Sequence, residues 1–235
     1  MPETRRQAPS LLAGDAHRRA VGAAAPVEHP RIGALGRPIC LGAVRRLTRI
    51  AVAAVIGLAC AASVLAPPAL AQRRALRPCR GANTPATRGS RELMRAAILC
   101  LINRQRVSRG LPRLRDSREL NRSAQSWSGR MVAGHFFSHG ANFTARISAA
   151  GYDWSMAGED IAAGFATPRQ VVAGWMGSFG HCQNILDPDF ADVGIGVVAH
   201  RLLRYGPSVW TLDFGLRMGR RPPSSNTGPM SRCPY

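Results

Sequence analysis

Lysine is absent from this chain: all 32 of its basic residues are arginine, set against 13 acidic ones, and the formal net charge is +19. So one-sided a choice of cation reads as the codon bias of a GC-rich genome, not as a binding function. Other absences exclude more. No zinc-finger spacing, aromatic RNA-binding motif or basic repeat accompanies the charge, so nucleic acid is not an expected partner. No C-x-x-C pair is present, which argues against a zinc–thiolate site. The G-x-S-x-G turn that exposes a serine nucleophile is missing, and no internal repeat divides the chain. What the charge does suit is contact with anionic partners such as lipid head groups or cell-envelope polymers.

The first 71 residues have no secondary-structure period and are dominated by Arg, Ala, Pro and Gly. Within them, residues 45–71 read as a signal peptide. Arg45, Arg46 and Arg49 form a basic start, Ile50 to Leu65 an apolar run, and Ala69-Leu70-Ala71 a small-residue cleavage site before Gln72. Residues 1–44 are then a poorly ordered N-terminal extension, and translation is expected to start near Val44. A single uncleaved membrane anchor is the competing reading, because the apolar run reaches about the lower length limit for crossing a bilayer. The Ala-rich composition and the A-x-A end favour cleavage and export.

Cleavage removes Cys40 and Cys60 and leaves Cys79, Cys100, Cys182 and Cys233. An even number in an exported chain argues for two disulfides. Of the three possible pairings, Cys79 with Cys100 and Cys182 with Cys233 is favoured. The first would staple the N-terminal segment to the first helix, and the second would tie down the tail. From Gln72 onward 23 arginines face 10 acids, a net charge of +13.

Residues 72–89 read as a linker, 90–217 as a packed domain and 218–235 as a flexible Pro-rich tail. Ser90 caps a helix with Leu93, Ala97, Ile98 and Leu101 on one face and Gly110 past its end. A second helix opens with Asp116 and Glu119 in capping-box spacing, carries Leu120, Ala124, Trp127 and Met131 as a stripe, and stops near Gly134. Residues 144–151 form a short helix. "GEDIAAGF" (158–165) is too short and Gly-punctuated for a helix and fits a loop running into a short strand. Thr167 and Pro168 open another helix, and "VGIGVVAH" and "SVWTLDFG" pair as a hairpin. Helices first and short strands last predict an α+β domain, helices packed on a small antiparallel sheet.

Four histidines follow Gln72, and their settings differ. His139 sits in "SHG" past the second helix, and His181 follows "WMGSFG" at the exit of the helix opened by Pro168. His135 reads as structural, with Phe136 and Phe137 as core, and His200 as an exposed strand end. Glu159 is flanked by Gly158 and Asp160. Ser138 and Ser178 each lie near a histidine in sequence, without the setting of a nucleophile.

The ordered set "CLINRQRVSRGLPRL", "LNRSAQSWSGRMVAGHFFSHG", "AGYDWSMAGEDIAAGF", "VVAGWMGSFGHCQNILDPDFADVGIGV" and "VWTLDFG" resembles the bacterial branch of the CAP superfamily: cysteine-rich secretory proteins, antigen 5 and pathogenesis-related 1 proteins, also called SCP-like extracellular proteins. It covers roughly residues 92 to 217. The resemblance implies an α-β-α sandwich with a shallow central cavity, where relatives place two His and two acidic residues, in some cases around zinc or another divalent metal. His139, Glu159 and His181 match three of the four. The fourth, a Glu after the Trp of the third main helix, has no counterpart after Trp175, and Asp160 stands where Asn is usual. Two imidazoles and one carboxylate could hold a metal and leave a position for water; equally, Glu159 could accept hydrogen bonds from the imidazoles without metal. The resemblance points to a secreted or envelope-associated binding module, with a divalent-metal-dependent, peptidase-like hydrolase using His139, Glu159 and His181 as the alternative.

Overall fold

The computed structural model describes residues 77–234, together with two short strands, β1 (Leu11–Leu12) and β2 (Arg19–Val21). The predicted signal at 45–71 lies outside the described residues. Helix α1 runs Arg91–Val107, with the Ser90 hydroxyl accepting from the Leu93 amide at 3.2 Å. Strand β3 (Arg115–Asp116) leads into α2 (Arg118–Ala133). Ser117, not Asp116, caps α2, and the Asp116 carboxylate instead accepts from the Asn121 amide. Then come α3 (Phe143–Ala149), β4 (Trp154–Ala163), α4 (Pro168–Met176), α5 (Phe179–Leu186), β5 (Asp192–Val198) and β6 (Val209–Arg217). A 3-10 turn at Gly228–Arg232 lies in the tail.

The sheet runs β4-β6-β5-β3, with β1 and β2 pairing antiparallel along the outer side of β4. It is mixed, not wholly antiparallel, because β3 lies parallel to β5. Its centre is the β4–β6 pair, so residues 158–163 of the "GEDIAAGF" segment belong to a ten-residue strand and not to a loop. Its glycine is there for closeness of packing: a Cβ on Gly158 would meet the Phe190 ring at 2.8 Å.

The period-2 alternation of β6 sorts the layers. Trp210, Leu212, Phe214 and Leu216 join the main core with residues of α1, α4 and α5. Thr211 and Asp213 point the other way, the Thr211 hydroxyl meeting Ser128 of α2 at 2.8 Å. Helices α1, α4 and α5 thus cover one face and α2 and α3 the other, an α-β-α sandwich. Helix α2 sits directly on β5, where a Cβ on Gly194 would lie 2.0 Å from the Leu120 carbonyl carbon. That contact lets Asn121 and Gln125 reach the edge of β5: their carbonyls accept from the Ile195 and Val197 amides. An edge that would otherwise invite another strand is thereby satisfied.

Both disulfides have the pairing the sequence favours. Cys79 bonds Cys100, and Cys182 of α5 bonds Cys233. Arg106, completely buried in α1, binds the carbonyls of Pro112, Ile185, Asp187 and Phe190 and so fixes the exit of α5. Burial lowers its pKa to about 10, partly offset by Asp187. Among the described residues no helix is long and apolar enough to cross a membrane.

Candidate functional site

The 134–142 loop between α2 and α3 presents His139, and its shape follows from three local features. Gly134 closes α2, and His135 takes a left-handed backbone at φ 51° with its side chain exposed. Phe136 and Phe137 are half-buried beside the cluster under α2, not within it. Gly140 is left-handed at φ 71° and lies so close to Trp127 that a Cβ would come within 2.9 Å of the ring. The Trp127 indole donates to the Ser138 carbonyl at 3.0 Å, pinning the loop from below.

This loop delivers His139, 6% exposed, to Glu159 of β4, 1% exposed, with Nδ1 2.8 Å from Oε1. The second carboxylate oxygen of Glu159 is held by the Arg146 guanidinium, brought in by α3. Arg146 also donates to the His139 carbonyl at 3.0 Å and stacks on Trp127, its guanidinium carbon 3.6 Å from the ring centroid. A hydrogen-bonded ion pair in so dry a place is much stronger than one at the surface.

Directly across the β4–β6 ladder from Glu159 stands Asp213. It is fully buried, and neither carboxyl oxygen has a hydrogen-bond partner. Burial, and after it the Glu159 charge, pushes its pKa well above the usual carboxylate range. Asp160 points to the opposite face, where Oδ1 accepts from the Asn184 amide of α5 at 2.7 Å. Burial raises its pKa as well, the Asn184 bond opposing the shift. Two of three adjacent carboxyls are therefore held toward the protonated form, and the remaining one faces an arginine.

His181 is placed otherwise than its sequence setting suggests. It lies not at the exit of α4 but in the first turn of a separate helix, α5, buried at 4% exposure. Its Nδ1 is 2.7 Å from the hydroxyl of Ser178, the residue that precedes the helix. The structure thus joins His139 to Glu159 and ties His181 to Ser178. Among the described residues, no group of three or more His, Cys, Asp and Glu side chains converges to hold a metal.

Sequence reasoning missed Arg146 and Asp213. Arg146 stands on a segment that reads only as a short helix. Asp213 carried a signal, since an acid in an apolar strand is costly unless neutral or paired, but its position opposite Glu159 needs the register.

Residues 99–214 match the family model for the cysteine-rich secretory protein family, CAP. The chain is 36% identical over 122 residues to the uncharacterised Bacillus subtilis protein YkwD, a match covering 50% of this chain and 45% of that one. It is 32% identical over 104 residues to the uncharacterised Bacillus subtilis membrane protein YlbC, covering 43% and 30%. The chain therefore spans less than half the length of these relatives. Similar solved structures include an extracellular SCP-domain protein from Bacillus anthracis (24% identity, 55% of this chain and 44% of that one, TM-score 0.48). Another is an outer surface protein from Borrelia burgdorferi (19% identity, 51% and 90%, TM-score 0.46).

Proposed function

The chain belongs to the cysteine-rich secretory protein family, and on that premise we propose that it is an exported binding module of the cell envelope or its surroundings, not an enzyme. The observation that carries this reading is the closed network around Glu159. A general base must be able to take a proton from a substrate or water. Here one carboxylate oxygen meets His139 and the other meets Arg146, so the group best placed for such work is engaged within the protein. Two disulfides in a chain with a signal-like leader suit an oxidising compartment, and the charge of +13 after Gln72 suits anionic envelope components.

A divalent metal does not fit the residues present. The carboxylate that would ligate it already faces a guanidinium, which a second cation would have to displace, and no group of three or more His, Cys, Asp and Glu side chains converges among the described residues. The Arg146–Glu159 pair therefore weighs against the hydrolase alternative built on His139, Glu159 and His181.

Two measurements test the proposal. Protein collected outside the producing cells should begin at Gln72 and sediment with isolated envelope material at low salt, releasing as salt rises; retention that salt leaves unchanged refutes the electrostatic part. Zinc titration should show no site that a His139→Ala, His181→Ala double variant lacks. Stoichiometric zinc lost in that variant restores the hydrolase reading.

A further inference from the structure

Between α2 and α3, next to Arg146, is a cleft of about 330 Å³. It is lined by Arg122, Ser123, Ser126, Arg130 and Arg146, closed on one side by Ala149 and Ala150, and no carboxylate reaches its wall. Arg122, Ser126 and Arg130 recur at i, i+4 and i+8 and so stand along one face of α2. Both arginines are exposed at the mouth. Arg122 spends one nitrogen on the Ala150 carbonyl, at 2.8 Å, and Arg130 lies over the Trp127 ring, its guanidinium carbon 5.4 Å from the centroid.

The floor is buried and incompletely satisfied. Ser123 is 3% exposed, and its hydroxyl lies beside the Asp213 carboxyl without making a well-formed hydrogen bond. Arg146 has its two terminal nitrogens on Glu159 and His139, while its Nε is buried and unpartnered. Buried donors without partners are costly, and here two of them, Ser123 Oγ and Arg146 Nε, belong to residues lining one cleft. Arg146 is already balanced by Glu159, so Arg122 and Arg130 leave the cleft with an excess of positive charge.

We propose that this cleft binds a phosphate-bearing ligand, with Ser123 and Arg146 at the floor and Arg122 and Arg130 at the mouth. A phosphate group suits donors arriving from several directions better than a planar carboxylate, which is matched by a single guanidinium fork. The cleft is at the lower end of the ligand-pocket range of about 300–1,000 Å³, so it has room for the organic part next to Ala149 and Ala150. The inference rests on the binding-module reading, for which it names a site and a ligand chemistry.

The test is an NMR titration of the full, disulfide-bonded chain at constant ionic strength, first with inorganic phosphate and then with glycerol phosphate. Saturable shifts are expected at the Arg146 Nε–H and at the Ser123 and Ser126 amides. The double variant Arg122→Gln, Arg130→Gln should bind about tenfold more weakly or worse, the worth of a lost charge-assisted hydrogen bond, with an unchanged unfolding midpoint. The control variant Arg220→Gln, Arg221→Gln, altered at two exposed arginines outside this cleft, should bind as the parent does. Shifts that never saturate, or equal weakening in both double variants, overturn the proposal in favour of diffuse charge.

The source of the phosphate is read from two further arms. Tighter binding of glycerol phosphate, with sedimentation on phosphatidylglycerol vesicles that needs Arg122 and Arg130, supports a lipid head group. Tighter inorganic phosphate, with vesicles ignored, supports a soluble phosphate ligand. Envelope binding that survives beside a silent titration sinks the cleft alone. A normal titration without envelope binding sinks only the wider function.

Discussion

Replacing Asp213 by Asn should stabilise this protein at neutral pH, against the usual result of altering a buried polar residue. Asp213 is fully buried, lacks hydrogen-bond partners for both oxygens and faces Glu159 across the ladder, so its folded pKa is raised. In the unfolded chain it titrates near the ordinary value of about 3.9. Between those two pKa values the native state binds a proton that the unfolded state does not. Stability therefore falls as pH rises through that window, by about 1.4 kcal/mol per pH unit. This is the reverse of a salt-bridged carboxylate, whose contribution is lost as pH falls. Asparagine keeps the shape, cannot ionise and offers an amide toward the Glu159 carboxylate. The groups facing the position are Glu159, Ser123 and Arg146, and Asp160 on the opposite face contributes to both proteins alike. Urea unfolding of the two oxidised proteins from about pH 4 to about pH 7 gives the difference directly. The variant should gain about 1.4 kcal/mol on the parent for each unit within the window, from near equality at the acid end. A flat difference, or a parent that gains on the variant as pH rises, refutes the argument that Asp213 is held protonated.

Four further outcomes are expected. Arg146→Met should cost about 3–5 kcal/mol in chemical denaturation, because it strands a fully buried carboxylate; a loss near the surface-pair value of about 0.5 kcal/mol contradicts the buried pair. Arg106→Met should cost about 3 kcal/mol or more, since its buried carbonyl partners lose their donor, and hydrogen exchange should rise at the exit of α5. Cys182→Ser with Cys233→Ser should cost about 4 kcal/mol on the chain-entropy estimate for a separation of 51 residues; an unchanged midpoint would mean the tail contributes nothing. Gly194→Ala should cost about 3 kcal/mol, as overpacking against helix backbone does, and a well-folded, equally stable variant would show that α2 does not rest on β5.

The parts legible in the sequence were those written in local pattern. Ser90 and Thr167 cap their helices as their positions suggest, the second with Gln170 completing a capping box, and Trp127 and Met131 fall on one buried stripe of α2. The β4 strand was harder. Gly158 and Asp160 look like loop residues, yet one is small to admit Phe190 and the other is held toward its neutral form by burial while accepting a hydrogen bond from Asn184. Helix α5 follows α4 with a gap of only two residues, too little sequence to signal a separate element, so His181 looked like an exit residue. At the site, the His139–Glu159 contact was anticipated. Arg146 and Asp213 were not, because the first arrives through a fold of the 134–142 loop and the second through strand register, neither of which is local.

The missing Glu between Trp175 and His181 and the pairing of Glu159 with Arg146 belong to one charge balance. The pattern implied by the resemblance, two imidazoles and two acids, leaves a cavity negative when the imidazoles are neutral, and a divalent cation can answer that charge. This chain has no acid between Trp175 and His181, so the excess is smaller from the start. Glu159 is then offset by Arg146, and Asp213 by holding its proton. A buried cluster that already sums to about zero gains little from a metal, whose entry would require an arginine to leave a carboxylate in a dry interior. The same balance is what makes the neighbouring cleft positive. Were Glu159 free of Arg146, or Asp213 ionised, the field behind Ser123 would repel an anion, and Arg122 and Arg130 would be needed to counter it instead of attracting a ligand. The interior pair and the proposed exterior site are therefore coupled through Arg146, whose terminal nitrogens hold Glu159 and the His139 carbonyl and which also lines the cleft.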